Sequence, residues 1–344
     1  MFVTFYDENF NALQDNSSLN VSKFTIKRKA VDFDDFNFVS QPFLVNVNPC
    51  FVVLKDDNGR LKYSAFAGIP QLNKDNQTEC QCSDLKTIFN NNIVTSFGAY
   101  DYLDEYFSAV LTAFNLQVLQ GSFSLVVDLT AINTIAISDL IPSTDLKVYN
   151  VWTDCILPYL KFYDCYLTCD LSIKNKTINV YVKKIDTETK VLRAWEYGLK
   201  NIGKWVSSIN ETQAVVSVSG SLTYGDKFIL LKNNSITTTA SLRDLYPIKN
   251  TIILKETTDS GELINLLNEA NQEALEKIVN GRYNESIEIT SADFEDVNFG
   301  TSFNVYTERG VFYKKLPVGI ILETQEETKT ITVGYKVDDI SFYI

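Results

Sequence analysis

Runs that alternate apolar and polar residues, closed off by turn residues, occupy both ends of this 344-residue chain and leave room for few helices. The sharpest is CFVVLKDDNGRLKYSAFAGI, residues 50–69. Two strand-like runs flank KDDNGR, with Asn58-Gly59 at the tip, a pair suited to the left-handed backbone of a tight hairpin turn. NVSKFTIKRKA (20–30) alternates from Val21 onward. QTECQCSDLKTIF (77–89) closes this first block, its last part a short helix expected after Ser83 as N-cap. Further on, CYLTCDLSI and TINVYVKKI flank the turn KNK, and QAVVSVSG (213–220), KFILL (227–231) and NTIILKE (250–256) are strand-like. Beyond residue 283 only strands are expected: ESIEIT, FGTSFNVYTERGVFYKKLPVGIILETQ and TKTITVGYKV. The 22 Phe and 18 Tyr fit this reading, because aromatic residues favour strands.

Helical periods stand out in three places. DYLDEYFSAVLTAFN (101–115) puts Leu103, Phe107, Val110, Leu111 and Phe114 on one stripe, with acidic residues in the first turns. Residues 106–127 have the length to span a membrane, but Asn115, Gln117, Gln120 and Gly121 dilute them. They read as a buried helix followed by a strand, and 123–137 as strand-like. Residues 148–185 read as a helix that breaks near Pro158, then a hairpin. The strongest helix is 260–283, with Leu263, Leu266, Leu267, Ala270, Ala274, Leu275 and Ile278 on one face. Ser260 is its expected cap and Asn280-Gly281 its stop.

Composition removes whole classes of chemistry. The chain contains no histidine. Ser-His-Asp and Cys-His systems therefore lack their usual base, and His-ligated zinc hydrolases are excluded. A glycosidase needs two facing carboxylates roughly 5–10 Å apart. The acid clusters DFDDF (32–36), Asp56-Asp57 and Asp338-Asp339 read instead as solvated turns, and KDDNGR lacks calcium-loop spacing. No phosphate-binding glycine loop is present. The six cysteines are Cys50, Cys80, Cys82, Cys155, Cys165 and Cys169. No paired C-x-x-C zinc spacing occurs, so they read as buried free thiols, Cys80 and Cys82 on one strand face and Cys165 and Cys169 on another. The start, MFVTFYDENF, lacks the basic and apolar regions of a signal peptide. The seven N-x-S/T sequons read as chance in an Asn-, Ser- and Thr-rich chain. A net charge of −12 argues against tight nucleic-acid binding or an anionic membrane surface. No catalytic, cofactor-binding or metal-binding residue is assigned.

Three stretches carry a family resemblance: FVVLKDDNGRLKYSAFAGIPQL with the later CSDLKTIF; the hairpin LSIKNKTINVYV ahead of SSINETQAVVSVSG; and the helix ELINLLNEANQEALEKIV leading to ESIEIT and FGTSFNVY…GVFYKKLPVGIILETQEETKTITVGY. This order resembles the baseplate hub proteins of tailed phages, including the N-terminal structural part of siphophage tail-associated lysins. Phe299-Gly300-Thr301 stands where those hubs usually carry Gly-Asp before the strand pair.

The resemblance implies a fold that is mainly β with α+β insertions, with two antiparallel barrel-like domains and smaller mixed domains. The expected segments are 1–95, a first barrel; 96–190, an α+β middle domain; 191–258, a β-rich segment completing a barrel; and 259–344, a helix followed by second-barrel strands. KTITVGYKV would close the second barrel, and the chain would end there as a bare hub. The implied function is a non-enzymatic tail-tip protein of the virion, made in the host cytoplasm. It would form a homotrimeric ring that closes the tail tube and opens for DNA, which passes without specific binding. Other tail proteins, a distal tail ring and receptor-binding proteins, would be its partners, with no membrane span and no cofactor. The alternatives are a saccharide-binding tail or adhesion protein and, behind it, a carboxylate-dependent glycosidase.

Overall fold

The structure is a computed structural model. It describes residues 1–13, 18–43, 49–120, 123–137, 146–185, 188–196, 198–205, 209–231, 235–244, 246–280, 284–291, 297–306, 312–325 and 329–333. Among the described residues the fold is mainly β, in several sheets, with three α-helices.

The first block supplies β1 (Phe2–Tyr6), β2 (Leu19–Lys29), β3 (Asp35–Ser40), β4 (Phe51–Lys55), β5 (Leu61–Phe66), the short β6 (Gln71–Leu72) and β7 (Thr78–Asp84). Six of them pair in the order β1–β4–β5–β7–β3–β2, and β2 returns to β1 through Phe2↔Asn20 and Val3↔Leu19. The ring is antiparallel throughout and leaves no free edge in its circuit. Val3, Phe5, Phe24, Ile26, Phe36, Phe38, Val52 and Leu54 fill it. β7 shows the pattern at its simplest: Thr78, Cys80, Cys82 and Asp84 are buried, and Glu79, Gln81 and Ser83 face water. β4 differs, being buried on both sides. Val52 and Leu54 face the ring interior while Phe51 and Val53 pack into the neighbouring helical core. The β4–β5 loop is longer than a two-residue turn. Asp56 N–H donates to Arg60 O, the Asp56 carboxylate accepts from the N–H groups of Asn58 and Arg60, and Gly59 has φ +78°.

A 3-10 turn, Leu85–Phe89, follows β7. Its cap is Asp84 rather than Ser83, since it is the Asp84 carboxylate that accepts from Lys86 N–H. Next come β8 (Asn92–Thr95), α1 (Leu103–Phe114), β9 (Ser124–Asp128), β10 (Lys147–Asn150), α2 (Leu157–Phe162), β11 (Cys165–Ser172) and β12 (Thr177–Lys184). The expected stripe of α1 is buried in full, joined by Tyr106. β9 is shorter than the 123–137 run, because Leu129, Ile132 and Ile135 are taken up in successive tight turns. The 148–162 segment does change at Pro158, in the other direction. A π-turn over Val151–Ile156 gives way to α2, with Pro158 in its first turn, where a missing N–H costs nothing. β11 and β12 form the expected hairpin, and β9 adds to β12 in parallel. β8 and β10 make a separate two-stranded ribbon.

The remainder holds β13 (Glu188–Arg193), β14 (Gly198–Trp205), β15 (Glu211–Val218), β16 (Ser221–Leu230), β17 (Ile236–Thr237), β18 (Asn250–Thr257), α3 (Leu263–Asn280), β19 (Asn284–Ser291), β20 (Thr301–Tyr306), β21 (Phe312–Thr324) and β22 (Lys329–Val333). A second set of six strands runs β13–β20–β21–β22–β19–β14. Only β13 and β20 are parallel within it. Leu192, Phe303, Val305, Val318, Ile321, Ile331 and Val333 form its core. β22, expected as the closing strand, sits inside the set between β21 and β19, and Gly334 onward lies outside the described residues. The two sets join where Thr25–Lys29 of β2 pairs with Ile320–Thr324 of β21. β15–β18 form their own sheet, ordered β17–β16–β15–β18, with β18 parallel to β15. α3 covers one face of it: Ala214, Val216 and Ile253 meet Ala270 and Ala274. The other end of α3, Leu275 to Val279, enters the helical core. The turn before α3 is capped by Asp259, which accepts from Gly261 N–H, and not by Ser260, which lies inside that turn.

Candidate functional site: a buried charge cluster beside the ring junction

β2 meets β1 at its start, β3 along its middle and β21 at its end. Arg28 stands at that last contact. Its guanidinium lies 3.5 Å from Glu323 of β21, donates to Lys62 O of β5 at 2.8 Å, and sits 5.7 Å from the centre of the Tyr63 ring. One side chain thus touches both strand sets. Tyr63 in turn donates its hydroxyl to Asp34 at 3.0 Å. Burial, reinforced by the Asp34 and Asp84 charges, pushes that phenol well above its ordinary range.

Asp34 leads to Lys86, whose side chain is only 2% exposed. Its ammonium is 2.9 Å from Asp34 Oδ1 and 3.1 Å from Asp84 Oδ2, and it donates to the carbonyls of Lys29 and Asp32. Burial pulls a lysine pKa down, but here the two carboxylates outweigh it and hold Lys86 above its ordinary value. Burial and the neighbouring Asp34 charge push the Asp84 carboxyl up to about 6, against the pull of Lys86 and two backbone N–H donors. The Asp34 N–H donates to Asp84 at 2.7 Å, so the loop after β2 and the turn after β7 close on each other. Enclosed and hydrogen-bonded in this way, the cluster is built as a clamp.

The DFDDF run is therefore split. Asp32 and Asp35 are exposed beside Lys29, as a solvated turn requires, while Asp34 points inward. Asp56 organises its hairpin loop, and exposed Asp57 pairs with the N-terminal amine. Asp338-Asp339 lies outside the described residues. All six cysteines are free thiols, four buried and Cys50 and Cys169 partly so. Cys80 and Cys82 share a face of β7 with sulfurs 3.6 Å apart. Burial pushes Cys155 and Cys165 up to about 12, which keeps both thiols protonated and inert. A second buried charge, Glu211 on β15, is met by Lys227 at 2.8 Å and by Arg243. Burial works against its ionisation, but the two cations hold its pKa below the ordinary value. Asp84 is two residues from Lys86, but Asp34 lies 52 residues from it and Arg243 lies 32 from Glu211, so local sequence shows neither cluster as a whole. Among the described residues no group of three or more His, Cys, Asp or Glu could hold a metal, and no helix is long and apolar enough to cross a membrane.

No protein-family model matches the chain, and no curated protein matches it. Solved structures do. The prophage tail protein gp18 from Listeria monocytogenes EGD-e aligns over 98% of this chain and 96% of its own, with a TM-score of 0.50 and 9% identity. The tail protein from Neisseria meningitidis MC58 aligns over 97% and 96%, with a TM-score of 0.52 and 11% identity. This chain has a phage tail-protein fold. The agreement spans both strand sets and the α+β parts between them. At such identities it is the course of the backbone that is shared.

Proposed function

We propose that this chain is a structural protein of a phage tail tip, the hub of its baseplate. Three copies form a ring below the tail tube, and the ring closes the tube and opens for DNA. The observation that carries this reading is the alignment with two tail proteins over nearly the full length of all three chains. The joined strand sets add to it. Two per copy make six around a trimer, which matches a six-fold tube to a three-fold tip. A net charge of −12 suits a passage that DNA slides through, since like charges do not stick. The role is mechanical and not enzymatic, in keeping with a chain that has no histidine. Its neighbours are other tail proteins, a distal ring and receptor-binding proteins.

Light scattering after size exclusion tests the assembly. A mass of three chains is expected, and a single chain at every concentration, alone and mixed with the distal tail ring protein, contradicts it.

A further inference from the structure

The ladder along one side of β7 is interrupted. β5 pairs with Asp84 and Ser83, and β6 pairs with Glu79 and Thr78. Cys80, Gln81 and Cys82 lie between those two pairings, and among the described residues only β3 pairs with them, through Phe38, Asn37 and Phe36. Gly68 passes beside the Gln81 carbonyl there. Both thiols belong to the ring's core, packed with Phe36 and Phe38, at 3% and 6% exposure. Their sulfurs are in contact at 3.6 Å, and the Cys80 sulfur lies 3.5 Å from Gly68 O. The contact with Cys82 holds the Cys80 thiol below its ordinary value against burial, whereas Cys82 is pushed well above its own. Cys80 is therefore the better nucleophile and Cys82 the better proton donor.

We propose that Cys80 and Cys82 are a reversible oxidation site, which hydrogen peroxide converts to a disulfide within β7. The Cys80 thiolate attacks one peroxide oxygen. The O–O bond breaks, and the hydroxide released takes up the Cys80 proton as water, leaving a sulfenic acid on Cys80. The Cys82 sulfur then attacks the Cys80 sulfur. The S–S bond forms, the S–O bond breaks, and the hydroxyl leaves with the Cys82 proton as a second water. The two sulfurs give up two electrons in all, and the peroxide takes them. Peroxide suits the site because it is small and uncharged, whereas a bulky disulfide reagent is kept out of a closed ring. Two residues of strand rise about 6.6 Å, near the upper end of the roughly 4.4–6.8 Å that a disulfide spans between Cα atoms. Closing the bond draws β7 in, and the interrupted ladder at Gln81 gives it room to shorten. Strained disulfides are the readily reduced ones, so thiols restore the pair. On the tail-tip reading above, the chain is made in a reducing cytoplasm and released into oxidising surroundings. The chemistry itself does not depend on that reading.

The test treats the folded full chain with hydrogen peroxide, removes the peroxide with catalase, alkylates the remaining thiols in urea and digests with trypsin. The peptide DNQTECQCSDLK, residues 75–86, holds these two cysteines and no other. Mass spectrometry is expected to find it unalkylated and lighter by two hydrogens, and to find both alkyl groups on it when dithiothreitol precedes alkylation. Cys82→Ser is expected to pass on to sulfinic acid at Cys80, which dithiothreitol does not reverse. A wild-type peptide that keeps both thiols overturns the site. So does one that carries sulfinic acid, or one whose disulfide forms only when peroxide is added in urea. If Cys82→Ser does not fold, the wild-type peptide decides alone.

Discussion

The ammonium of Lys86 stands 2.9 Å from the carboxylate of Asp34, although 52 residues separate them in sequence. The contact links the turn after β7 to the loop after β2. It lies next to the strand that joins the two strand sets. Removing one member of a buried ion group leaves the others uncompensated, which costs about 3–5 kcal/mol. Lys86→Met should therefore lower the thermal midpoint strongly. Adding Asp84→Asn to it should recover part of the loss, since the stranded charge goes too. Differential scanning calorimetry of the two variants checks this order.

Asp84 also sets a pH dependence. Its carboxyl is raised to about 6 in the folded state, chiefly by burial and then by Asp34. A group whose folded pKa is raised favours folding below its unfolded value and loses that contribution as pH rises through the folded one. The stability of the wild type relative to Asp84→Asn should therefore fall between pH 4 and pH 7. Urea unfolding at several pH values measures it. A difference that grows with pH would mean that Lys86 dominates and the carboxyl is lowered.

Gly68 lies against the backbone of β7. A Cβ there would come 1.9 Å from Gln81 O, and a backbone atom cannot swing aside as a flexible side chain can. Gly68→Ala should cost roughly 1–3 kcal/mol, the usual range for overpacking. Its signature is faster amide exchange along Thr78–Asp84, and exchange rates equal to wild type would contradict it.

Gln117 stands in for a missing strand. Its amide donates to Val94 O and accepts from Val94 N–H, both at 2.9 Å, on the open side of β8. Gln117→Ala should cost about 1 kcal/mol and speed exchange at Val94 more than at the inward-facing Ile93.

Much of the fold was legible because local pattern and global position agree. The alternation of Thr78–Asp84, the stripe from Leu103 to Phe114 and the face of α3 each report one buried side, and one buried side leaves a period in sequence. Caps were harder to place. Asp84 and Asp259 took the roles expected of Ser83 and Ser260, because the preceding strand or turn decides where backbone N–H groups become free. The acid clusters defeated local reading outright. Nothing in DFDDF distinguishes Asp34, which turns inward to meet Lys86, from its exposed neighbours Asp32 and Asp35. Parallel pairings such as β13 with β20 and β15 with β18 were likewise invisible, since strand direction depends on the path between distant segments.

The central claim is that copies of this chain form a three-fold hub, and electron microscopy of the purified protein, with and without the distal tail ring protein, tests it most directly. Class averages should show a ring of three copies with six lobes around a central opening. Particles the size of one chain under both conditions, or rings of another symmetry, would contradict the account.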